Sequence, residues 1–556
     1  MKNKYIITIV FAILLFTGCK KGLDLIPKDT ISDGTFWKTA TDYKLAANNL
    51  YLSLEDFSTK DIDSDIAYNV PNSVSNGTYQ TTENDSRWNT PYIYIRRCNN
   101  IIGKAAKSSI SAEVKQFVAE AKFFRAYNYW QLFRLYGGVP LITKVLDITD
   151  KELYAQRSTR QETFDLILND LTEAITDLPI QKTIDKADYG RITKGAANSL
   201  IARVALFEGT WGKFRNDGKA NANLDIAIQA SEIVMNSSEY SLFNGKGDQS
   251  YRYLFIDAGD DAAETILDRR HQRDISYQVF NRVVSEGNYL VTKKLADMYA
   301  CTDGLPISQS PLFQGYNTTT SEYQNRDPRM AMTMIIPGTL VAQTWYVNPV
   351  ASWPFYPQRN GNTGYTTYKF ISEDAYANAI NYNWSSDCHI LRYAEVLLIY
   401  AEASFERNGV ISDADLNKSL NLIRQRANIH LLTNAFVTAN GLDMRQEIRR
   451  ERTVELALEG FRNDDLRRWK TAETEMPQDI KGIKIVGTPW ANPIIIEGVD
   501  RNPYGGASWQ SKTDANGFII VESASGRSFD PNKHYLSPIP TKEILINPDL
   551  QQNPGW

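Results

Sequence analysis

Helical periodicity between Ser111 and Tyr136 constrains the fold of this chain more than any other feature. Apolar residues recur there at intervals of three and four positions, and they are Val114, Phe117, Val118, Ala121 and Phe124. The second half, 123–136, is apolar on nearly every face, which predicts a buried helix. Gly137-Gly138, with Pro140 just beyond, ends the run as helices commonly end. A helix buried on all sides predicts a helical core around it.

Further helical segments extend this core. One covers Thr193 to Phe207, where small residues let a neighbouring helix approach closely. Another covers Leu391 to Arg407 and is closed by Asn408-Gly409, and Ser412-Asp413 caps the next. The turn between these two helices is short, so they must pack as an antiparallel pair. Such a pair is the unit of a tetratricopeptide-like array, although the sequence lacks the strict consensus of those repeats. The predicted fold is mostly α, built of tetratricopeptide-like helix pairs.

Irregular segments interrupt the helical pattern. Between about 288 and 384, aromatic residues lie among Gly, Asn, Pro and Thr without sustained helical period, and 488–528 has a similar character. A third stretch, 56–89, is rich in Asn, Asp, Ser and Thr, as exposed loops are. Loops held by a rigid scaffold often carry binding residues. We therefore predict an irregular, loop-rich binding lobe on the helical scaffold, centred on 288–384 and 488–528.

The N-terminus has the order of a secretory signal. Met1 to Lys4 is charged, 5–16 is apolar, and Thr17-Gly18 precedes Cys19. This predicts a lipoprotein signal peptide over 1–18, with Cys19 acylated as the first residue of a mature domain, 19–556. Phe16 departs mildly from the usual pattern, and a plain secretory signal with an incidental cysteine is the alternative. Several acyl chains would hold the chain to a membrane durably.

Composition restricts the ligand class. The formal net charge is -4 and the pI is near 5.8, and a chain with no basic stripe is not expected to bind nucleic acid. Aromatic residues make up 11%, with 30 Tyr and 11 Trp. Part of this content must be core, but exposed rings also stack on the C–H faces of sugars. Composition alone leaves both uses open.

The cysteine and histidine residues indicate no metal or redox chemistry. Cys98, Cys301 and Cys388 are widely spaced, which favours small buried side chains over a disulfide framework. The four histidines are equally scattered, and neither an HExxH motif nor a His/Cys cluster occurs. We expect no cofactor and no metal.

Several blocks of the sequence resemble the signature motifs of the SusD/RagB family. They follow the family's order along the chain, and the strongest are the last two. The blocks are Glu120 to Tyr127 with Leu135 to Pro140, Arg191 to Ala197, Asn325 to Arg329, Leu391 to Glu395 with Ala401 to Ala403, Asn421 to Ala427, Glu451 to Trp469, and Tyr535 to Pro540 with Asn547-Pro548 and Gln552 to Trp556.

The resemblance implies a function as well as a fold. Members of this family are outer-membrane lipoproteins of Bacteroidota-type bacteria that face the cell exterior and form a lid on a SusC-like TonB-dependent transporter. Together the pair captures and imports oligosaccharides. The family's eight helices form four tetratricopeptide-like pairs that support an irregular, ligand-holding lobe. Members bind and do not catalyse. A peptide- or protein-binding lid of the same fold and a surface glycoside hydrolase are the alternatives.

A row of carboxylates tests the hydrolase alternative. Glu451, Glu455 and Glu459 share one helix face, and paired carboxylates perform glycoside hydrolysis. The competing interpretation is a partly buried charge network that braces the core. In it, the three glutamates and Asp465 pair with the arginines Arg452, Arg462, Arg467 and Arg468. We favour the network, because a catalytic pair must flank a cleft.

The segment Asp61 to Asp65 alternates carboxylates as calcium loops do. Ile66 occupies the position where such a loop needs glycine, and Asn72 stands where its bidentate glutamate would be. We therefore do not expect calcium there.

Two groups of residues are predicted to contact a glycan. Asp65, Asn69 and Trp88 lie where sugar-binding side chains of the family often lie, with core packing as an equal alternative for Trp88. The second group lies in or beside the aromatic segment 288–384, which we call the aromatic insertion, and its members are Cys301, Trp345, Tyr346, Trp353 and Tyr356.

Overall fold

The computed structural model describes most of the chain. The described residues are 36–341, 353–354, 363–374, 383–496, 498–500, 502, 504 and 507–556. Cys19, Trp345, Tyr346 and Tyr356 lie outside them.

Helices dominate the described residues, which confirms the prediction of a mostly α fold. Their bounds are α1 Ala40–Leu50, α2 Ser73–Asn76, α3 Ser86–Ala105, α4 Lys115–Tyr136, α5 Arg160–Asp177, α6 Lys194–Lys213, α7 Ala220–Asn236, α8 Ser250–Tyr253, α9 Phe280–Ser285, α10 Lys293–Met298, α11 Arg329–Thr333, α12 Tyr393–Asn408, α13 Asp413–Asn417, α14 Leu420–Arg426, α15 Asn434–Ala439, α16 Met444–Glu455, α17 Arg462–Arg468, α18 Ala472–Glu475, α19 Ala507–Gln510 and α20 Thr541–Ile546.

The long helices pack side by side in chain order. Helix α3 contacts α4, α4 contacts α5, α5 contacts α6 and α6 contacts α7, while α12 closes the row against α7 and α16. Local signals set their ends. Thr159 and Glu162 form a capping box at the start of α5, and Gly409, at φ 75°, ends α12.

Helix α4 is the buried helix that the sequence predicts. Phe123, Phe124 and Tyr129 have no exposed surface. Gly137, at φ 73°, ends the helix in a conformation that favours glycine. At Gly138 a Cβ atom would lie 2.0 Å from the carbonyl oxygen of Ser158, so only glycine fits there.

The predicted bounds of other elements differ from the observed ones. Helix α6 continues to Lys213, beyond the predicted end at Phe207, because its apolar face stays buried to Trp211. Leu391 and Arg392 belong to a strand that precedes α12. The helix after Ser412 is split into α13 and α14, and Ser412 caps the first of them.

Short strands join distant parts of the chain. Antiparallel β1, β3 and β6 form one sheet in that order, and the other strands pair as β2 with β7, β4 with β5, β8 with β11 and β9 with β10. Their bounds are β1 Ala67–Tyr68, β2 Thr265–Arg269, β3 Leu290–Val291, β4 Leu340–Val341, β5 Trp353–Pro354, β6 Tyr365–Thr366, β7 Cys388–Arg392, β8 Ile480–Lys484, β9 Ile495–Ile496, β10 Val499–Asp500 and β11 Phe518–Glu522.

The apolar residues form two large buried clusters. The scaffold core comprises residues of α1, α3–α7 and α12, and the lobe core comprises residues of β1, β3, β6, β8 and α8–α11. Helix α16 and the turn after it contribute to both, with Leu456 in the scaffold core and Leu458 in the lobe core. The loop-rich lobe is thus packed directly on the helices. Within the described ranges, no helix is long and apolar enough to cross a membrane.

Candidate functional site

The predicted sugar contact Asp65 faces the interior. Its carboxylate is 3% exposed and accepts hydrogen bonds from Nε and Nη2 of Arg462, both at 2.8 Å. Burial alone would raise the pKa of Asp65, but the Arg462 guanidinium outweighs it and holds that pKa below its usual value. Because both oxygens are engaged by a buried arginine, the prediction that Asp65 binds a sugar hydroxyl is corrected to a structural ion pair.

The remaining acidic residues of that loop also face inwards. Asp61 accepts the backbone N–H groups of Gly460 and Arg462, at 3.0 and 3.1 Å, and burial raises its pKa to about 7. Asp63 accepts a hydrogen bond from Asn72 at 2.9 Å. In the part of the chain that the structure describes, no group of three His, Cys, Asp or Glu residues is placed to hold a metal ion.

Trp88 and Cys301 are also buried. Trp88 is 3% exposed, with its ring edge-on to Tyr136 at 5.0 Å and tilted against Tyr92 at 5.4 Å. This is the core-packing alternative, and it leaves no ring face for a sugar. Cys301 has no exposed surface, so it cannot line a ligand site in this conformation.

Asn69 directly follows a strand whose sheet also contains two strands of the aromatic segment 288–384. Asn69 is half-buried directly after β1, and β1 is joined to β3 and through it to β6, two strands that lie within 288–384. Trp353 lies in β5, which pairs with β4. The structure therefore places the polar segment 65–69 beside the parts of 288–384 that form β3 and β6. The glycan contacts of Trp345, Tyr346, Trp353 and Tyr356 stay predictions.

Glu455 forms the centre of a buried charge network. Its carboxylate accepts hydrogen bonds from Arg329 at 2.9 Å, Arg392 at 2.7 Å and Arg426 at 2.5 Å. Burial alone would raise the pKa of Glu455, but these three cations hold it well below its usual value. Glu451 meets Arg329 at 2.6 Å on the same helix face.

The network is the predicted one, but its partners differ from those expected. The cations that meet Glu451, Glu455 and Glu459 come from distant segments, and they are Arg329, Lys369, Arg392, Arg424 and Arg426. Three of the expected arginines instead serve other acids, since Arg452 pairs with Asp465, Arg468 pairs with Glu402 and Arg462 pairs with Asp65. A carboxylate surrounded by guanidinium groups cannot donate a proton near neutral pH. The row is therefore unsuited to the general-acid role in glycoside hydrolysis.

An open cleft of about 380 Å³ lies between α1, the loop before α6 and β2. Tyr189, 36% exposed, lies on one wall, and the Arg270 guanidinium lies 5.4 Å from its ring centroid. Lys44 and Asn48 project from α1, where Lys44 meets Asp188 at 2.6 Å. Asn48 accepts a hydrogen bond from Arg191 at 2.6 Å. These contacts hold the polar groups in place before any ligand arrives.

The charges of this cleft balance. Lys44 is paired with Asp188, Arg191 with Glu120, Arg269 with Asp56 and Arg270 with Asp261. Paired charges at the surface retain hydrogen-bonding capacity without a strong net field. An exposed ring beside such groups suits a neutral polyhydroxylated ligand, and the volume is within the range of small-molecule sites. Sequence reasoning missed this cleft, because no local pattern joins 44–54, 187–191 and 268–276.

A second, more enclosed cavity of about 100 Å³ lies beneath loop 55–60. Arg134 and Arg203 line it beside Phe461. It is smaller than the cavity of about 150 Å³ that accommodates benzene, so a pyranose ring does not fit. The open cleft is the stronger candidate for a sugar.

Two family descriptions match the chain. The SusD family matches residues 263–556, and a SusD-like family described as "Starch-binding associating with outer membrane" matches residues 35–206. The chain belongs to the SusD/RagB family. The resemblance carried by its sequence motifs is thereby confirmed, and this SusD/RagB protein matches family descriptions in both its scaffold and its lobe.

Relatives of this SusD/RagB protein match most of its length. A SusD-like protein of Bacteroides ovatus is 25% identical, over 84% of this chain and 83% of the relative. A SusD-like protein from Bacteroides fragilis has a crystal structure that superposes with a TM-score of 0.73 at 25% identity, covering 95% of this chain and 100% of the other. A SusD-like carbohydrate binding protein from the same species gives 0.72 at 22% identity, covering 93% and 100%.

Proposed function

We propose that this protein is a cell-surface glycan-binding lipoprotein that captures oligosaccharides and delivers them to a SusC-like TonB-dependent transporter. Family membership supports the role, as does the match over 35–206 to a family described as starch-binding. A Bacteroides fragilis protein of the same fold is described as carbohydrate binding. The observation that carries the proposal is the open, charge-balanced cleft beside Tyr189.

Binding in that cleft follows from ordinary sugar recognition. The exposed ring of Tyr189 offers a stacking face, while Lys44 and Asn48 offer a donor and an amide to vicinal hydroxyls. Asn69 and the aromatic residues Trp345, Tyr346, Trp353 and Tyr356 supply a second part of the ligand surface. Contacts of this kind are weak singly, and the transporter's own contacts strengthen them.

The tether completes the proposal. Removal of residues 1–18 leaves Cys19 to be acylated, and the lipid holds the protein to the outer membrane, facing the exterior. The description of the 35–206 match as "associating with outer membrane" supports this location. Metabolic labelling with a radioactive fatty acid tests it. Wild type takes up label and Cys19→Ala does not, whereas label retained by Cys19→Ala contradicts the anchor.

Affinity electrophoresis against a panel of polysaccharides tests the ligand class. We expect at least one polysaccharide to retard the wild type and to retard Tyr189→Ala less. Tyr154→Ala is the matched control, because Tyr154 is 56% exposed and lies outside the cleft. Equal retardation of both variants contradicts the proposed cleft.

Two other functions make different predictions. A peptide-binding lid is favoured by one observation, an apolar groove of about 460 Å³ lined by Ile175, Ile201, Ile226 and Ile233. Peptide capture with no glycan bound would support that function. A hydrolase would release products from oligosaccharides, so any product seen by chromatography contradicts a binding-only role.

A further inference from the structure

Arg467, near the end of α17, is a buried cation without a counter-charge. It is 6% exposed, and its Nε and Nη1 atoms are inaccessible to solvent and have no hydrogen-bond partner in the part of the chain that the structure describes. Among the described residues, no carboxylate forms an ion pair with it. A buried charge that lacks a partner is strongly destabilising, because it has lost its hydration without gaining an opposite charge. Burial also lowers the pKa of Arg467, in line with that cost.

The nearest acids are engaged elsewhere. Asp464 accepts a hydrogen bond from Arg134 at 3.2 Å, and Asp63 accepts one from Asn72 at 2.9 Å. Both attract Arg467 from a distance, but neither forms an ion pair with it. The protein thus leaves this guanidinium to be neutralised by something other than its described side chains.

His534 supplies a further donor beside Arg467. Its Nδ1 accepts the backbone N–H of Asp530 at 2.9 Å, so the neutral ring carries its proton on Nε2. That Nε2 is buried and has no partner among the described residues. Burial lowers the pKa of His534, and the positive charges of Lys533 and Arg467 lower it further.

These groups line one small cavity of about 20 Å³. Arg467 and His534 contribute to its wall, which also includes other polar and apolar residues, among them Tyr79, Asn463, Ser537, Leu466, Met476 and Phe529. The buried side-chain nitrogens of Arg467 and His534 that have no partner among the described residues are all hydrogen-bond donors. The volume holds about one water-sized sphere, which excludes phosphate, sulfate and any carboxylate ligand.

We propose that this cavity binds a single halide ion, chloride under ordinary conditions, held by Arg467 and by the Nε2–H of His534. A halide neutralises the charge of the guanidinium and can accept hydrogen bonds from the unpartnered nitrogens of Arg467 and His534. A water molecule also fits the volume, but it carries no charge to neutralise the guanidinium, and its two hydrogens find no acceptor among these donors. The site goes beyond the glycan-binding role and does not depend on it.

The position of the site gives the ion a structural role. The cavity is enclosed by α17, by the end of α2 at Gly77 and by the C-terminal segment from Phe529 to Trp556. These segments are far apart along the chain. The halide therefore fastens the C-terminus to the scaffold, and its loss lowers the stability of the whole protein.

Anomalous diffraction tests occupancy directly. Crystals of the full mature protein grown in sodium bromide are expected to show a bromide peak between Arg467 and His534. Density with no anomalous signal at that position, as water would give, overturns the proposal.

Thermal unfolding at constant ionic strength tests the site in solution. Replacing chloride by gluconate, which is too large for the cavity, is expected to lower the midpoint of wild type by on the order of 1 °C. Arg467→Met should abolish that dependence, and His534→Phe should weaken it. Arg96→Met, the same change on an exposed arginine, should keep the wild-type dependence. Equal anion dependence in Arg467→Met and Arg96→Met overturns the proposal even if one variant is less stable.

Discussion

The ammonium group of Lys369 lies 2.7 Å from the carboxylate of Glu459, and neither side chain is more than 9% exposed. Lys369 belongs to the lobe, whereas Glu459 follows the last turn of α16. Burial lowers the pKa of Lys369 to about 8, with Glu459 opposing the shift. The pair is the lobe-side end of the charge network centred on Glu455. The network therefore fastens the loop-rich lobe to the helices.

Glu455→Gln is expected to destabilise the protein by about 3 to 5 kcal/mol, because it leaves buried arginines without their counter-charge. Urea denaturation measures the change. Glu232→Gln is the matched control, since Glu232 forms an exposed pair with Lys418 at 3.4 Å and should cost less than about 1 kcal/mol. Equal losses in the two variants would contradict a structural network.

Asp260→Asn is expected to stabilise the protein increasingly as the pH rises. Burial, together with the nearby charge of Asp387, raises the pKa of Asp260 from 3.8 to about 8. Between these pH values the unfolded chain binds fewer protons than the folded chain, so the free energy of unfolding falls as the pH rises. The asparagine has no proton to lose, so its gain should grow by on the order of a few kcal/mol between pH 5 and pH 8.5. Urea denaturation at pH 5 and pH 8.5 measures it. Asp248→Asn, on an exposed residue, serves as control, and a gain independent of pH would refute the assignment.

Gly138→Ala should lower stability strongly, because the new Cβ would lie 2.0 Å from the backbone oxygen of Ser158. Gly103→Ala places the same methyl group on α3 with nothing within 4 Å. Helix propensity predicts a gain of about 0.5 to 1 kcal/mol there. Thermal unfolding of both variants checks the contrast. Two variants of equal stability would show that Ser158 does not enclose Gly138.

Trp88→Ala should act on stability, at about 3 to 5 kcal/mol, because the residue fills the core beside Tyr92 and Tyr136. Trp345→Ala is expected to act on glycan affinity with little loss of stability. Denaturation and affinity electrophoresis of both variants separate the two effects. If Trp88→Ala kept wild-type stability and bound glycan more weakly, the result would contradict the core-packing role and support a ligand contact for Trp88.

Local patterns made the scaffold predictable from the sequence. The burial of α4 follows from apolar residues on every face, and its end follows from Gly137. Helix α12 and its end at Gly409 follow from the same rules. The carboxylate row was also predictable, because three glutamates at four-residue spacing must share a helix face.

Long-range pairings could not be predicted in the same way. Asp65 and Arg462 are separated by 397 positions, and no local signal distinguishes a carboxylate that meets an arginine from one that meets a sugar. Trp88 has the same ambiguity, because a tryptophan suits both a core and a stacking platform. The cleft beside Tyr189 depends on three distant segments that only the fold brings together.

Isothermal titration calorimetry with oligosaccharides cut from a retarding polysaccharide tests the central claim most directly. The account predicts saturable binding to wild type, unchanged affinity in Tyr154→Ala, and at least a tenfold weaker affinity in Tyr189→Ala, about 1.4 kcal/mol. Absence of binding across the whole glycan panel would contradict the claim that this protein captures oligosaccharides.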